Sequence, residues 1–239
     1  MNHNQFQQLA LKLDALTSKV DEIQNQLKKA ARRQAFKGSA QYWEDRYAGG
    51  GNSGKGSYGL LADYKARVIN EFVRSNDVAS VMEFGCGDGN QLKFAEYPRY
   101  AGYDVSATAV THCRHLFAND GSKSFALVTD YVAETADLSM SLDVLFHLVE
   151  DTVFNEYMNR LFDSAQRFVI IYSSNFDRTE TDNPHVRHRA FSEWVERRRP
   201  DFKLTRIEEN AQTMASKAAG QNSDRSPADF FFYERLATP

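Results

Sequence analysis

The chain has 239 residues, of which 42% are hydrophobic and 26% are charged, and its formal net charge is −3. This length allows one α/β domain of typical size plus an accessory segment. The charge gives no reason to expect nucleic acid or an anionic membrane as a partner. No apolar run approaches the roughly 20 residues that span a bilayer, and the N-terminus lacks the order of a secretion signal.

The cysteine content points to a reducing compartment. The two cysteines, Cys86 and Cys113, provide neither a disulfide framework nor a metal-ligand spacing. We therefore expect a cytoplasmic protein with no metal site.

The first 36 residues carry a heptad repeat and are predicted to form a separate coiled-coil helix. Apolar residues occupy the a positions Phe6, Leu13, Val20 and Leu27 and the d positions Leu9, Leu16, Ile23 and Ala30. A helix that packs on its own domain usually shows a wider apolar stripe. We expect residues 6–30 to mediate homo-oligomerisation or docking to a partner helix, with intramolecular packing as the alternative. The mixed a and d residues do not decide between a dimer and a trimer.

Residues 37–75 are predicted to cap the core, which spans residues 76–239. The stretch from Gln41 to Gly59 holds six glycines, a composition typical of a flexible loop. Its aromatic side chains favour a loop that closes over a ligand, although a packed, inert connection remains open. These aromatic residues are Tyr42, Trp43, Tyr47 and Tyr58.

From Leu60 onward, helical and strand patterns alternate. The predicted strands are Ser80–Phe84, Arg99–Val105, Phe125–Thr129, Leu138–Leu145, Arg167–Ser174, Phe202–Glu208 and Asp229–Leu236. The predicted helices are Leu60–Arg74, Gln91–Tyr97, Ala107–Ala118, Asp151–Ala165 and His188–Arg199. This alternation predicts an α/β fold with a doubly wound, mostly parallel sheet that ends in an added hairpin.

A glycine-rich turn follows the first predicted strand. Gly85, Gly87 and Gly89 stand at alternate positions, as they would where a ligand approaches the backbone too closely for a Cβ. Asn90 occupies the place of the third glycine of a dinucleotide fingerprint, which counts against a nicotinamide oxidoreductase. Asp88 would repel phosphate, so the turn favours a cationic or zwitterionic ligand.

Two carboxylates follow the next strands. Asp104 ends the second predicted strand, where it can accept two hydrogen bonds from a ribose diol. Asp130 and Tyr131 follow the third, where they could meet an adenine amino group and its ring. Either aspartate taken alone is better explained as a strand-end residue or a helix cap. Their order after the glycine turn favours a nucleoside-bearing ligand.

These motifs give residues 80–236 a family resemblance. The stretch EFGCGDGN resembles the first motif of class I S-adenosylmethionine-dependent methyltransferases. GYDVS resembles the acidic second-strand motif of that family, and SLDVLFHL resembles its fourth-strand motif. In the fourth-strand motif, Phe146 replaces a Glu that is common in the family. The resemblance implies a Rossmann-like seven-stranded sheet and S-adenosyl-L-methionine as cofactor. By the same resemblance the cofactor-binding residues are Gly85, Cys86, Gly87, Asp104, Val105, Asp130, Tyr131 and Leu142. The stretch YWEDRY resembles the cap of several subgroups, which makes Tyr42, Trp43, Arg46 and Tyr47 candidates for a cofactor lid.

Methyl transfer requires an aligned nucleophile, and an oxygen nucleophile also benefits from a general base. His147 and His188 are the candidate bases. Asp143 could contact substrate or a metal, although no second carboxylate with a clear spacing supports a metal. Substrate contacts are expected from His185, Arg187 and Arg189. A structural role for His147 and a plain surface helix start around His188 remain open.

The resulting hypothesis is an O-methyltransferase that acts on a hydroxyl of a small molecule or glycan. The stretches YWEDRYAGGGNSGKGSYG and PHVRHRAF resemble methyltransferases of bacterial surface-polysaccharide synthesis, which implies a sugar acceptor. One alternative is a coiled-coil interaction protein that carries a cofactor-binding but inactive methyltransferase fold. The other is a nicotinamide-dependent oxidoreductase.

Overall fold

The computed structural model describes residues 3–179, 183–210 and 226–237. Helix α1 (His3–Ala35) is followed after three residues by α2 (Ser39–Ala48). Every α1 side chain between positions 11 and 28 is exposed, whereas the side chains of Phe6 and Leu9 lie outside the described part. The predicted N-terminal helix is confirmed. Its pairing as a coiled coil and the division of the chain at residue 36 stay predictions.

The core is a seven-stranded sheet in the order β3-β2-β1-β4-β5-β9-β8. Strands β1 to β5 are parallel, while β9 runs antiparallel to both β5 and β8, so the predicted final hairpin is confirmed. The seven strands are β1 (Val81–Phe84), β2 (Tyr100–Asp104), β3 (Lys123–Leu127), β4 (Ala136–Leu142), β5 (Ala165–Ser173), β8 (Phe202–Glu208) and β9 (Asp229–Arg235). A separate two-stranded ribbon pairs β6 (Arg178–Thr179) with β7 (Arg187–His188).

Hydrophobic clusters cover both faces of the sheet, because strand side chains alternate between the faces. In β9, Phe230 and Phe232 join the cluster that contains Ile69, whereas Phe231 joins the cluster that contains Met158. Each such fully buried side chain contributes about 1.5–3 kcal/mol. The remaining helices are α3 (Gly59–Ser75), α4 (Ala107–Leu116), α5 (Asp151–Asp163) and α6 (Phe191–Arg198). None of the described helices combines the length and the apolarity needed to cross a membrane.

Three local predictions were wrong. The first half of the predicted loop at Gln41–Gly59 is helix α2, and Lys55–Ser57 form a short 3-10 helix. The predicted helix after the glycine turn is only a 3-10 turn, Gln91–Phe94. The Asn70 side chain donates to the Phe94 carbonyl and accepts from the Glu96 amide, which holds this segment off a helical path. Helix α6 begins at Phe191 because the preceding residues pair as β7.

Candidate functional site

A cavity of about 290 Å³ lies at the carboxyl ends of β1, β2 and β4, beneath α2. This is the topological switch point of the sheet, because the chain leaves β1 toward β2 on one side and β4 lies on the other. The cavity wall includes ten of the residues predicted for the site: Trp43, Tyr47, Gly85, Cys86, Gly87, Asp104, Val105, Leu142, Asp143 and His147. The fold therefore gathers residues from four separate segments at one place.

Helix α2 is held over the cavity by side-chain hydrogen bonds at its start and near its middle. Near its middle, the Glu44 carboxylate accepts from Ser106 Oγ and Thr108 Oγ1, each at 2.6 Å. These hydrogen bonds are the main cause that lowers the pKa of Glu44. At its start, Ser39 Oγ donates to Glu150 at 2.6 Å. Part of the loop that composition predicted to be flexible is therefore hydrogen-bonded in place over the cavity. Residues 39–58, which are α2 and the segment after it, are called the cover below.

The glycine turn packs closely against this cover. Gly87 has φ of 58°, and a Cβ there would lie 2.4 Å from Ser53 Oγ and 2.9 Å from Tyr47 Oη. Asp88 accepts hydrogen bonds from the Ser53 amide and from Tyr58 Oη, both at 2.8 Å. The Asp88 carboxylate thus binds the cover and is not among the described cavity-lining residues, so its predicted role beside the ligand has no support from this geometry.

Substitution of Gly87 by alanine should loosen the cover. A left-handed backbone costs a non-glycine residue about 1–3 kcal/mol, and the added methyl would displace Ser53. We expect loss of stability and faster proteolysis between residues 48 and 58. Gly121→Ala is the matched control, because a Cβ at Gly121 meets nothing within 4 Å. Equal urea midpoints and cleavage rates for the two variants would contradict the expectation.

Asp104 is buried at the end of β2 and lies on the cavity wall. Its carboxylate accepts from the backbone amides of Gly87 and Ser106, both at 2.9 Å. Burial raises the pKa of Asp104, and the two amides counter this. A carboxylate has about four lone-pair sites, so capacity remains for groups inside the cavity.

The two residues predicted to contact adenine, Asp130 and Tyr131, are not among the described cavity-lining residues. Asp130 is exposed, while Val128 and Thr129 line the cavity. Tyr131 packs its ring against Phe84 and Tyr103 instead. The adenine role of Asp130 and Tyr131 stays a prediction without support from this geometry.

The cavity wall also holds two polar residues that sequence reasoning missed, Lys65 and Gln91. Lys65 Nζ is buried 2.6 Å from Asp143 Oδ2, and their side chains are 1% and 19% exposed. Gln91 Oε1 is buried without a hydrogen-bond partner among the described residues. Asp143 has φ of 60°, a left-handed conformation that aspartate tolerates. Asp143 therefore acts first as the partner of a buried lysine.

Glu83 is also buried on this wall and accepts a hydrogen bond from Tyr100 Oη at 2.6 Å. Burial raises its pKa from 4.5 to about 7, against the lowering effects of Tyr100 and Lys65. Glu83 stands inside the EFGCGDGN motif, so its position was visible in the sequence. Lys65 carried no such signal, because it lies within an ordinary amphipathic helix.

The raised pKa of Glu83 predicts that the stability of the fold depends on pH. The folded state keeps a proton on Glu83 up to about pH 7, whereas the unfolded chain releases it near 4.5. This group therefore favours the folded state at low pH, and its contribution falls by about 3 kcal/mol as pH rises through that window. Glu83→Gln should remove this loss, measured as urea unfolding at several pH values against wild type. An identical pH dependence in both proteins would contradict the burial argument, and Glu96→Gln at the surface is the control.

His147 lies beside the cavity within a cluster of rings. Trp43 meets it edge-on at 4.9 Å, and His185 stacks at 5.5 Å. Its Nδ1 lies 3.0 Å from the His185 carbonyl oxygen, which can only accept, so Nδ1 carries the proton and Nε2 has the lone pair. Burial lowers the pKa of His147 to about 4. The imidazole is therefore a neutral hydrogen-bond acceptor at neutral pH.

The other residues predicted to contact the methyl acceptor are not among the described cavity-lining residues. His185 stacks on Tyr42 at 4.1 Å, and His188 is buried with its Nδ1 2.6 Å from Ser174 Oγ. Arg187 and Arg189 both contact the Val149 carbonyl and Asp151. Both arginines thus hold the segment after β4, and their predicted substrate contacts have no support from this geometry.

Arg46 lies on the outer side of α2. Its Nε donates to the Asn52 carbonyl at 2.6 Å, and its guanidinium lies over the Trp43 ring. It therefore positions the cover and is not among the described cavity-lining residues.

Comparisons with known proteins identify the fold. No family model matches the sequence, and no curated protein matches it. Among solved structures, the chain is similar to the N-methyltransferase NodS from Bradyrhizobium japonicum WM9 in complex with S-adenosylhomocysteine, with 13% identity, a TM-score of 0.60, and coverage of 84% of this chain and 100% of that chain. The fold is that of class I methyltransferases.

Two further structures show the same likeness. Magnesium protoporphyrin IX methyltransferase ChlM from Synechocystis PCC 6803 with bound S-adenosylmethionine is 14% identical, covers 84% of this chain and 99% of that one, and has a TM-score of 0.58. The methyltransferase domain of bacterial CtHen1 is 17% identical, and the match covers 73% of this chain and 98% of that chain with a TM-score of 0.55. At these identities the likeness establishes the fold, which confirms the expected class I architecture.

Proposed function

We propose that the protein is an S-adenosylmethionine-dependent methyltransferase that methylates a hydroxyl group of a small molecule or a glycan. The observation that carries the proposal is the buried Asp104 carboxylate, which faces the cavity beside the glycine turn at the sheet's switch point. Solved structures of the same fold hold S-adenosylmethionine or S-adenosylhomocysteine.

The residues of the cavity fit this cofactor. The cofactor carries a ribose diol, an ammonium group and a sulfonium, which need acceptors or negative charge nearby. Asp104 provides a carboxylate for the diol, and the unpaired Gln91 Oε1 provides an acceptor for a nitrogen donor. A buried acceptor left without a partner costs about 1–3 kcal/mol, so a ligand donor there is favoured. Trp43 supplies an apolar wall.

When bound, the cofactor supplies an electrophilic methyl group on its sulfonium. His147 Nε2 would accept a hydrogen bond from the acceptor hydroxyl, orient its oxygen lone pair, and take up the hydroxyl proton as the oxygen bonds to the methyl group. Because its pKa is about 4, His147 stays unprotonated at neutral pH, and its main contribution is positioning. Trp43 and helix α2 exclude water from the reacting groups.

Substitution of His147 by glutamine should lower kcat by about a hundredfold, the order expected when a reacting group is misplaced by about 1 Å. Wild-type kcat should fall only as pH drops toward about 4, because burial holds the pKa of His147 there. Cofactor affinity should be unchanged by calorimetry. The exposed His115→Gln on α4 is the matched control. Unaltered kcat in the His147 variant would remove it from the mechanism.

The test of the proposed function is transfer of an isotope-labelled methyl group from S-adenosylmethionine to a panel of hydroxyl compounds, free sugars, glycans and amines. Transfer to a hydroxyl supports the proposal as stated. Transfer only to amines keeps the cofactor and overturns the acceptor class. Cofactor binding without transfer favours the inactive interaction protein, and reduction of a nicotinamide instead would support the oxidoreductase alternative.

Three finer features belong to the same proposal. The glycan is a sugar of a bacterial surface polysaccharide, which rests on the resemblance of YWEDRYAGGGNSGKGSYG and PHVRHRAF to such enzymes. The ring cluster around His147 offers faces on which a sugar could stack. The protein acts in the cytoplasm and associates through residues 6–30, for which the exposed heptad seam is the support.

A further inference from the structure

Helix α1 presents an apolar seam that the rest of the described chain does not cover. Five consecutive a and d residues are at least half exposed: Leu13 64%, Leu16 59%, Val20 50%, Ile23 56% and Leu27 65%. Isolated exposed apolar residues are normal, but a continuous row along one helix face indicates an interaction surface. The helix has 33 residues, about 50 Å at 1.5 Å per residue, and only three residues join it to α2.

The flanks of the seam carry different charges. The g positions hold Lys12, Lys19 and Arg33, together with Gln26, and the e positions hold Thr17, Gln24 and Ala31. An antiparallel pair of identical helices brings g against g, so these cations would face each other. A parallel pair brings g against e of the partner, where each cation meets a neutral side chain. The charge pattern therefore disfavours antiparallel self-pairing and tolerates the parallel one.

We propose that α1 binds a second copy of this chain as a parallel, in-register coiled coil. In that register every a residue meets its own copy, and so does every d residue. The seam from Leu13 to Ala30 contains no polar residue that would require a complementary partner. A different partner is usually selected by charges on both flanks, and the e flank here has none. This inference adds the partner and the orientation to the association through residues 6–30 proposed above, and it does not depend on the methyltransferase activity.

The first test is the mass of the full chain in solution, measured by light scattering over a range of concentrations. Wild type should be an oligomer, and Leu16→Glu with Ile23→Glu should be a monomer, because both charges enter the seam. Ser18→Glu with Asn25→Glu is the matched control, since it places the same charges on the outer f positions of the same helix. A monomeric wild type would overturn the proposal, and so would equal masses for the two double variants.

The second test decides orientation. Leu13→Cys places one thiol near the N-terminal end of the seam, where a short thiol cross-linker joins two chains only if they run parallel and in register. Ser18→Cys on the outer face is the control, and the native Cys86 and Cys113 are buried. Cross-linking of Leu13→Cys alone is the expected result. An oligomer that cross-links neither variant would be antiparallel and would overturn the proposal. A third outcome would also overturn the proposal. If an added peptide helix with glutamates at its e positions displaces one copy of the chain from the pair, the partner of α1 is an acidic helix.

Discussion

Asp104→Ala is expected to abolish S-adenosylhomocysteine binding that is measurable in the wild type. Hydrogen bonds to a charged group contribute about 1.5–3 kcal/mol each, so losing two to the ribose would weaken binding by about a hundredfold or more. The measurement is calorimetric titration of wild type and variant. Because S-adenosylhomocysteine is the cofactor after loss of its transferable methyl group, the result tests the cofactor site independently of any acceptor.

The Asp104 experiment needs a second variant that separates loss of ligand binding from loss of the fold. Alanine would also leave the buried amides of Gly87 and Ser106 without their acceptor, which could unfold the turn. Asp104→Asn keeps the shape and one acceptor oxygen but removes the charge, so one of the two amides keeps its acceptor and the other faces an NH2 group. It should disturb the turn less than alanine does and still bind much more weakly than the wild type. Wild-type affinity in a folded Asp104→Asn protein would remove the ribose role from this residue, and with it the main support for the proposed cofactor site.

The second large effect is expected at the Lys65–Asp143 ion pair. Asp143→Asn leaves the Lys65 ammonium, which is 1% exposed, without its counter-charge. Removing one partner of a buried pair typically costs roughly 3–5 kcal/mol. Asparagine tolerates the left-handed backbone at this position, so the change adds no strain. Lys65→Met should cost less, because the remaining Asp143 carboxylate is 19% exposed and keeps contact with water.

Urea unfolding of both single variants and the double variant gives the coupling energy. The double variant should be less destabilised than the sum of the two, since neither charge then remains unpaired. Glu96→Gln is the matched control, because its ion pair with Arg74 has side chains that are 63% and 65% exposed and should contribute about 1 kcal/mol or less. Additive effects within error would show that the two side chains do not interact.

The local pattern of the sequence was enough to place most secondary structure. Alternating apolar runs and helical periods predicted every strand of the main sheet to within a few residues, and the β8 bounds were reproduced fully. The error at Gln91–Tyr97 came from side-chain hydrogen bonds of Asn70, which lies more than 20 residues earlier in the chain. Composition likewise mistook α2 for a loop, because its position depends on distant partners such as Glu150.

The sequence by itself determined the fold class and the strand-end motifs of this protein. Periodicity, glycine spacing and the position of Asp104 at a strand's end are properties of neighbouring residues, so they can be read without the fold. Only the tertiary structure decided that Lys65 pairs with Asp143 and that the His185 carbonyl fixes the tautomer of His147. Those contacts join residues far apart in the chain, and their energies depend on burial, which exists only after the sheet and its cover have packed.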